Sequence, residues 1–344
     1  MFSFKNDYSE LCHPAILEAL SKANQFQHEG YGLGFYCQQA REHIKNELQS
    51  QTAEIHFVTG GTQANLLVIS ALLRPHESVI SAQTGHITIH EAGAIEATGH
   101  KINTVETTDG KLTPAQVQYV LDNHQDIPHQ VKPKLVYISN STEIGTIYLK
   151  SELEALFRFC KSKGLYLFLD GARLGSALTA SNNTLSLADI ARLTDIFYIG
   201  GTKNGALLGE AIVINNSQIQ EDFGYHVKQR GALLAKGELI GIQFLTLFQN
   251  NLYFNLAGNA NEMATQLTNA FLQRGYSFLT PSTTNQIFPI LPNTLIEKLT
   301  VNYAFYIWQK ISDTHSVIRL VTSWSTPNEV VNKFINELDI LSKP

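Results

Sequence analysis

Short apolar segments alternate with amphipathic stretches along the first 200 residues of the chain. Most of these segments consist of Val, Ile, Leu, Phe and Tyr and are flanked by turn residues, which is typical of buried strands. We predict strands at residues 55–58, 78–81, 101–105, 135–139, 165–169 and 196–199.

Helix signals lie between the predicted strands. Each predicted helix begins at a hydroxyl cap or a proline. The starts are Pro14, Thr62 for a helix over 63–73, Thr113 with Pro114, and Ser151 with Glu154 for a helix that runs to Lys163 and stops at Gly164. Regular alternation of strand and helix predicts an α/β fold, a mostly parallel sheet with helices on both faces.

The pattern changes beyond about residue 245. This part predicts a long helix and then a mixture of short strands and helices. The predicted elements are a helix at 256–274, strands at 277–279 and 287–290, a helix from Pro292, a strand at 317–321 and a final helix capped by residues 326–329. We therefore predict a large domain over 1–245, with an N-terminal arm, and a smaller C-terminal α+β domain over 246–344.

Composition limits the partners that the chain can have. Its 344 residues are 44% apolar and carry a formal net charge of −5 without a basic block, so we expect no nucleic-acid partner. Neither a bilayer-spanning apolar run nor a cleavable apolar leader is present, so we expect no membrane association. Cys12, Cys37 and Cys160 are odd in number and lack metal-type spacing. We expect free thiols in a cytoplasmic protein and no metal site.

Candidate chemistry begins at Lys203, which follows the strand at 196–199 and the glycine break at Gly200 and Gly201. A partly desolvated lysine can lose its proton and attack a carbonyl group to form a Schiff base. The alternative is an ordinary surface lysine in a loop. This residue alone does not decide between the two interpretations.

A second signal is the strand, glycine turn and helix around Gly61 and Thr62. Free backbone N–H groups and the helix dipole make such a turn suitable for binding an anion, and phosphate is the ligand that we expect. The alternative is an ordinary turn with a good N-cap. His86, followed by His90 and Glu91, lies past the strand at 78–81, where the ligands of open α/β sheets collect.

Asp170 is the third signal, because an acid at the end of a wholly apolar strand needs a cationic partner or strong donors. Strand ends of one sheet lie close together, so Asp170 and Lys203 can share a site. An amine, a carboxylate and a phosphate cradle are the groups that hold pyridoxal 5'-phosphate. We therefore predict this cofactor, with Asp170 keeping the pyridine nitrogen protonated.

The chain resembles the threonine aldolase group of the β-eliminating lyases, which have the aspartate-aminotransferase-like fold type I with its seven-stranded sheet. The matching stretches are NDY at 6–8, TGGTQAN at 59–65, GHITIHEAGAIEATGH at 85–100, LDGARLGSA at 169–177, GGTKNGALLGEA at 200–211 and IRLVTSW at 318–324. The resemblance implies that Lys203 carries the cofactor and that Gly61 and Thr62 bind its phosphate. It also implies that His86 stacks on the cofactor ring, while Arg173 and Arg319 hold the substrate carboxylate.

Several positions depart from the pattern of that group. Thr142, in SNST, stands where the group usually has a second active-site histidine, and Asn6 replaces a usual serine. Both are candidate substrate contacts. The group usually takes a basic residue from a neighbouring subunit for the phosphate, and the sequence offers Arg230 or Lys236. The resemblance thus implies a homo-oligomer, a dimer or a tetramer.

Three functions remain open at this point. The first is an aldolase that splits threonine or allo-threonine into glycine and an aldehyde. The second is another pyridoxal-phosphate enzyme on the same scaffold, an aminotransferase or a β-eliminating lyase. The third is a binding protein with a relic site, and the intact Lys203 and Asp170 argue against it. His86 is the first candidate to assist proton transfer.

Overall fold

The structure is a computed structural model that describes residues 1–342. The α-helices are α1 (Pro14–Ala23), α2 (Phe35–Leu48), α3 (Gly61–Leu72), α4 (His86–Ile89), α5 (Pro114–Asp122), α6 (Lys150–Ser162), α7 (Leu174–Leu178), α8 (Leu187–Arg192), α9 (Ser217–Gln220), α10 (Phe223–Gln229), α11 (Glu238–Phe248), α12 (Leu252–Gln273), α13 (Asn293–Leu299) and α14 (Asn328–Leu341). The strands are β1 (Phe2–Ser3), β2 (Glu54–Val58), β3 (Glu77–Ala82), β4 (Ile102–Val105), β5 (Lys132–Ser139), β6 (Tyr166–Asp170), β7 (Ile196–Gly200), β8 (Glu210–Ile214), β9 (Gln286–Ile287), β10 (Ile290–Pro292), β11 (Tyr303–Ala304), β12 (Tyr306–Lys310) and β13 (His315–Val321).

A seven-stranded sheet forms the centre of the molecule, in the order β2-β8-β7-β6-β5-β3-β4. Within it only β8 runs opposite to the others, so the predicted mostly parallel sheet is confirmed. The carboxyl ends of β2, β3, β5, β6 and β7 therefore meet at one edge, together with the start of β8. All six strands predicted in this part of the chain are present.

Helices cover both faces of the sheet. Successive residues of each strand point to opposite faces. Leu167 and Leu169 pack in one apolar cluster with α1, α2, α5, α6, α8 and α11, whereas Phe168 packs in the other with α3 and α10. Because both of their faces are buried, the inner strands β6 and β7 are almost uniformly apolar, and this is why they were the clearest in the sequence.

Two predicted helix caps in this region are wrong. α3 begins at Gly61, with Gly60 at the N-cap position and no side-chain cap, so Thr62 lies inside the first turn. α6 begins one residue before Ser151, and the side chain of Glu152 accepts a hydrogen bond from the N–H of Leu149 at 2.8 Å. The prediction was displaced because Ser151 and Glu154 fit the capping-box pattern, whereas the observed N-cap, Leu149, carries no hydroxyl.

The C-terminal part contains a second, four-stranded sheet in which β13 pairs with β9, β10 and β12. The strand predicted at 277–279 is wrong, since only Phe278 forms an isolated bridge, to Pro289. The strand predicted at 287–290 is divided between β9 and β10. α14 is present and begins within the predicted capping segment 326–329, with Pro327 at the N-cap position and no side-chain cap bond.

The N-terminal arm is built into this second layer. β1 pairs with β11, and Phe4 is fully buried in the apolar cluster formed by α12, α13 and α14. The division into domains 1–245 and 246–344 stays a prediction, and its boundary falls within α11. Within residues 1–342, every helix is too short or too polar to cross a membrane.

Candidate active site

A cavity of about 450 Å³ opens at the sheet edge where the strand ends meet. Residues from both the central sheet and the C-terminal part line it. It brings together seven of the residues predicted from the sequence: Gly61, Thr62, His86, Asp170, Arg173, Lys203 and Arg319. The cavity therefore gathers an amine, a carboxylate, an imidazole and two guanidinium groups.

Asp170, the last residue of β6, is held by four hydrogen-bond donors. Its Oδ1 accepts from the Tyr198 hydroxyl at 2.5 Å and from the Ala172 N–H at 3.0 Å. Its Oδ2 accepts from the Tyr137 hydroxyl at 2.6 Å and from Asn65 Nδ2 at 3.1 Å. These donors fix the carboxylate in one orientation.

The same surroundings keep Asp170 charged. Burial alone would raise the pKa of this carboxyl, but the charge of His86 and the hydrogen bonds from Tyr137, Tyr198 and Ala172 outweigh burial and lower its pKa. Asp170 is thus an anion at neutral pH. It is suited to stabilise a protonated nitrogen of a bound ligand.

Lys203 lies in the hairpin between β7 and β8. Burial, followed by the charge of Arg173, lowers the pKa of the Lys203 amine, while Asp170 and Glu210 act in the opposite direction. Glu210, at the start of β8, accepts a hydrogen bond from the Gly201 N–H at 2.9 Å, and burial raises the pKa of its carboxyl to about 7. A lowered pKa increases the neutral fraction of the amine, which is the form that attacks carbonyl groups.

The N-terminus of α3 forms one end of the cavity. Gly60 is extended and makes no side-chain cap, and no described residue accepts a hydrogen bond from the N–H of Gly61 or Thr62. A Cβ atom at Gly61 would lie 3.0 Å from the Tyr198 hydroxyl, so this position favours glycine. Uncapped N–H groups and the helix dipole together make an anion site.

His86, at the start of α4, is held by a buried carboxylate. Its Nδ1 lies 2.8 Å from Glu91 Oε1, which also accepts from Asn65 Nδ2 at 2.7 Å. The imidazole is about one-third exposed, while the Glu91 carboxylate is fully buried. A hydrogen bond from Nδ1 to the carboxylate leaves Nε2 as the basic nitrogen. Asn65 links this pair to Asp170.

Arg173 is oriented by Asp7, a residue of the NDY stretch. Its Nε and Nη2 bind the two oxygens of Asp7 at 2.7 and 3.0 Å, in a two-pronged contact. Asn285 Nδ2 also donates to Asp7, at 2.9 Å. Burial would raise the pKa of Asp7, but the charge of Arg173 outweighs it and lowers the pKa. One edge of the guanidinium is therefore occupied, and Nη1 remains for a ligand.

Arg319, on β13, is the second guanidinium of the cavity. It lies over the rings of Tyr306 and Trp308, 5.5 and 5.1 Å from their centroids, and its Nη2 donates to the Lys5 carbonyl at 3.2 Å. Burial and the charge of Arg173 lower the pKa of Arg319. Two neighbouring cations in a partly buried cavity make a site for an anion such as a carboxylate.

Comparison with known proteins agrees with this geometry. The family model of the β-eliminating lyases matches residues 10–293. The chain belongs to the β-eliminating lyase family. It is therefore an enzyme, a lyase.

Individual relatives of this β-eliminating lyase cover its whole length. The low specificity L-threonine aldolase of Pseudomonas aeruginosa is 32% identical over 98% of this chain and 96% of its own length. The solved structure of Leishmania major threonine aldolase is 48% identical, covers 100% of both chains and superposes with a TM-score of 0.98. A mutant of Thermus thermophilus aspartate aminotransferase, 16% identical, covers 99% of this chain and 91% of its own with a TM-score of 0.73. The fold is thus the aspartate-aminotransferase-like fold type I that the sequence predicted.

Two predicted substrate contacts of this β-eliminating lyase lie outside the cavity lining. Asn6 shapes the arm instead, since its Oδ1 accepts from the Tyr8 N–H at 3.0 Å and from the Ser9 hydroxyl at 2.9 Å. Thr142 is fully buried, and its hydroxyl lies 2.7 Å from that of Thr146. Neither residue lines the cavity of the single chain, and their role as substrate contacts stays a prediction.

Glu143, next to Thr142, lines the cavity in its place. Arg230 and Lys236, predicted to bind phosphate from a neighbouring subunit, are exposed and do not line the cavity of their own chain. Their role stays a prediction, because it concerns the cavity of a partner.

Several functional neighbours in this β-eliminating lyase were missed by sequence reasoning. They share a position in the cavity wall or directly behind it: Asp7, Asn65, Tyr137, Tyr198, Glu143, Glu210 and Trp308. For Tyr137 and Tyr198 the available signal was a tyrosine hydroxyl group within an otherwise apolar strand. Asp7 had no such signal, because its partner Arg173 is 166 residues away in the sequence.

Proposed function

We propose that this enzyme is a pyridoxal 5'-phosphate-dependent aldolase that cleaves L-threonine and L-allo-threonine to glycine and acetaldehyde. The observation that carries the proposal is the cavity itself, in which Lys203, the anionic Asp170 and the N-terminus of α3 face one space with two arginines. The names of the Pseudomonas and Leishmania relatives support the substrate class.

The residues present fit the cofactor. Lys203 supplies an amine whose pKa is lowered, Asp170 supplies an anion for the pyridine nitrogen, and the uncapped N–H groups of Gly61 and Thr62 supply a phosphate cradle. When bound, pyridoxal phosphate accepts the electron pair released by bond cleavage. His86, one-third exposed at the cavity wall, is suited to pack against the ring.

The substrate carboxylate binds Arg319 and the free edge of Arg173 in this proposal. Two fixed donors set the orientation of the amino acid, so that the Cα–Cβ bond stands at the correct angle for cleavage. Cleavage also needs an acceptor for the proton of the β-hydroxyl group. The basic nitrogen of His86 is the first candidate to take that proton or to pass it on.

The function is tested by adding the cofactor and each threonine isomer separately to the purified protein. We expect acetaldehyde from both isomers, measured by the oxidation of NADH with alcohol dehydrogenase. The absence of acetaldehyde from both isomers would reject the proposal.

Arg319→Lys will weaken cleavage but not cofactor binding. Lysine keeps the charge and loses both the planar fork and the packing on Tyr306 and Trp308. We expect kcat/KM to fall roughly 10- to 100-fold, the equivalent of about 1.5–3 kcal/mol for a hydrogen bond to a charged group. The exposed Arg158→Lys, on α6, is the matched control. An unchanged kcat/KM for both threonine isomers would show that Arg319 does not hold the carboxylate.

We also propose that the enzyme is a homo-oligomer, a dimer or a tetramer, in the cytoplasm. The segment from residue 11 to residue 35 exposes many apolar side chains in the single chain: Leu11, Leu17, Phe26, Tyr31, Leu33 and Phe35. Patches of this kind mark interaction surfaces. The three cysteines are free and buried, which supports a reducing compartment.

Phe35→Asp will disrupt that assembly. Its side chain is 64% exposed in the single chain and borders a groove between α1, α2 and α11. Placing a charge in a buried apolar interface is costly, so we expect light scattering to show a smaller species. Tyr119→Asp, on the exposed face of α5, is the control and should leave the mass unchanged. A wild-type protein that is monomeric and fully active would contradict the proposal.

A further inference from the structure

Glu143 is a cavity-lining carboxylate that the steps described so far do not use. It follows the end of β5, between the ends of β3 and β6. Its Oε1 accepts two hydrogen bonds, from the Ser139 hydroxyl at 2.7 Å and from the His86 N–H at 2.9 Å. No described residue donates to its Oε2. The carboxylate is thus held through one oxygen, and the other has no hydrogen-bond partner among the described residues.

The carboxylate of Glu143 also lacks a cation. Among residues 1–342, no lysine, arginine or histidine forms an ion pair with it. Burial, with a contribution from the charge of Asp170, raises the pKa of Glu143. Burying a carboxylate without a cation costs stability. Such a cost at a cavity wall indicates that the carboxyl group has a chemical role.

The other acids of the cavity are engaged elsewhere. Asp170 accepts four hydrogen bonds, and its lowered pKa makes it a poor proton acceptor. Glu210 binds the Gly201 N–H in the β7–β8 hairpin that carries Lys203. Glu143 instead follows β5, which lies on the other side of β6 from the β7–β8 hairpin, and it contacts His86. It is therefore the carboxylate that is left to act on the substrate.

We propose that Glu143 is a catalytic residue that accepts the β-hydroxyl proton of the substrate on Oε2, directly or through a water molecule. The inference rests on the aldolase function proposed above. As the O–H bond breaks, a new O–H bond forms on Glu143, and the O–H electron pair becomes the second bond of the aldehyde C=O. The Cα–Cβ pair leaves with the glycine half, whose Cα later takes up one proton. Glu143 then returns its own proton to solvent.

Glu143→Gln tests this role, because the amide oxygen still accepts from Ser139 and His86 while the basic oxygen is lost. Two reactions of the holoenzyme are compared: threonine cleavage, and exchange of the α-hydrogen of glycine in D₂O followed by proton NMR. Only the first requires removal of a hydroxyl proton. We expect cleavage to fall roughly 10²- to 10⁴-fold, the usual effect of losing a general base, while glycine exchange stays near the wild-type rate.

Thermal unfolding of the cofactor-free protein gives a second, independent result. Because the substitution removes a partly buried carboxylate that has no cationic partner among the described residues, we expect the Tm of Glu143→Gln to equal or exceed that of wild type. Glu42→Gln, on the exposed face of α2, makes the same chemical change outside the cavity and should alter neither reaction.

The outcomes separate the two proposals. A wild type that cleaves neither threonine isomer would reject the aldolase function itself. A wild type that cleaves threonine, with Glu143→Gln cleaving it equally fast, would overturn the role of Glu143 alone. An equal loss of cleavage and glycine exchange, together with a lower Tm, would show that Glu143 only supports the structure of the loop and would also overturn the inference.

Discussion

Lys203→Ala will abolish covalent attachment of the cofactor and lower cleavage of threonine on the order of 10³-fold or more, the effect expected when a covalent step loses its nucleophile. The hairpin between β7 and β8 places this amine in the cavity, where burial and Arg173 lower its pKa. The measurement is the mass of the protein after addition of pyridoxal phosphate, borohydride reduction and removal of free cofactor, together with kcat.

The lowered pKa of Lys203 has a consequence in the cofactor-free protein. At a given pH a lower pKa leaves more neutral amine, so Lys203 should react with an amine-modifying reagent at a lower pH than exposed lysines such as Lys298 do. Peptide mass spectrometry would follow both sites. A covalently attached cofactor in Lys203→Ala after borohydride reduction, with Lys298→Ala as the control, would show that another lysine carries it.

Asp170→Asn will lower kcat on the order of 10²- to 10³-fold, the scale of losing one preorganised electrostatic contact. A neutral amide cannot stabilise a protonated ring nitrogen. Moreover, the asparagine NH₂ group would face groups that donate hydrogen bonds to Asp170 in the wild type. A hydroxyl group can rotate and accept instead, but the Ala172 N–H cannot accept a hydrogen bond. We therefore expect weaker cofactor binding as well, measured by titration with pyridoxal phosphate.

Asp313→Asn is the control for that substitution, because Asp313 is almost fully exposed in the turn between β12 and β13. A wild-type kcat in Asp170→Asn would mean that the anion at the end of β6 does not act on the cofactor. A protein with normal cofactor affinity and low kcat would instead limit the role of Asp170 to the chemical step.

The sequence predicted six of the seven strands of the central sheet, and most clearly the inner ones, which are buried on both faces and form nearly pure apolar runs. β8 was not predicted. The sequence also predicted Lys203 and Asp170, since a charged residue at the end of such a run has few structural explanations. It did less well beyond residue 245, where the strands of the second sheet are as short as two residues. Such strands are defined by their partners and leave little periodicity in the sequence.

The environment of the site could not be predicted in the same way. Tyr137 and Tyr198 bind Asp170 from neighbouring strands, and Asp7 binds Arg173 from 166 residues away. These contacts depend on which strands are adjacent, and sequence periodicity does not determine strand order. Thr142 and Glu143 are a further example that the sequence did not predict. The conformation of the loop after β5 determines which of these two adjacent side chains lines the cavity.

The central claim is that this cavity breaks the Cα–Cβ bond of a β-hydroxy amino acid. The most direct test is carbon-13 NMR of uniformly labelled threonine and allo-threonine incubated separately with the holoenzyme, because it detects all carbon products at once. The account predicts labelled glycine and acetaldehyde in equal amounts from each isomer. A four-carbon 2-keto acid, formed by transamination or by elimination of water, would contradict it.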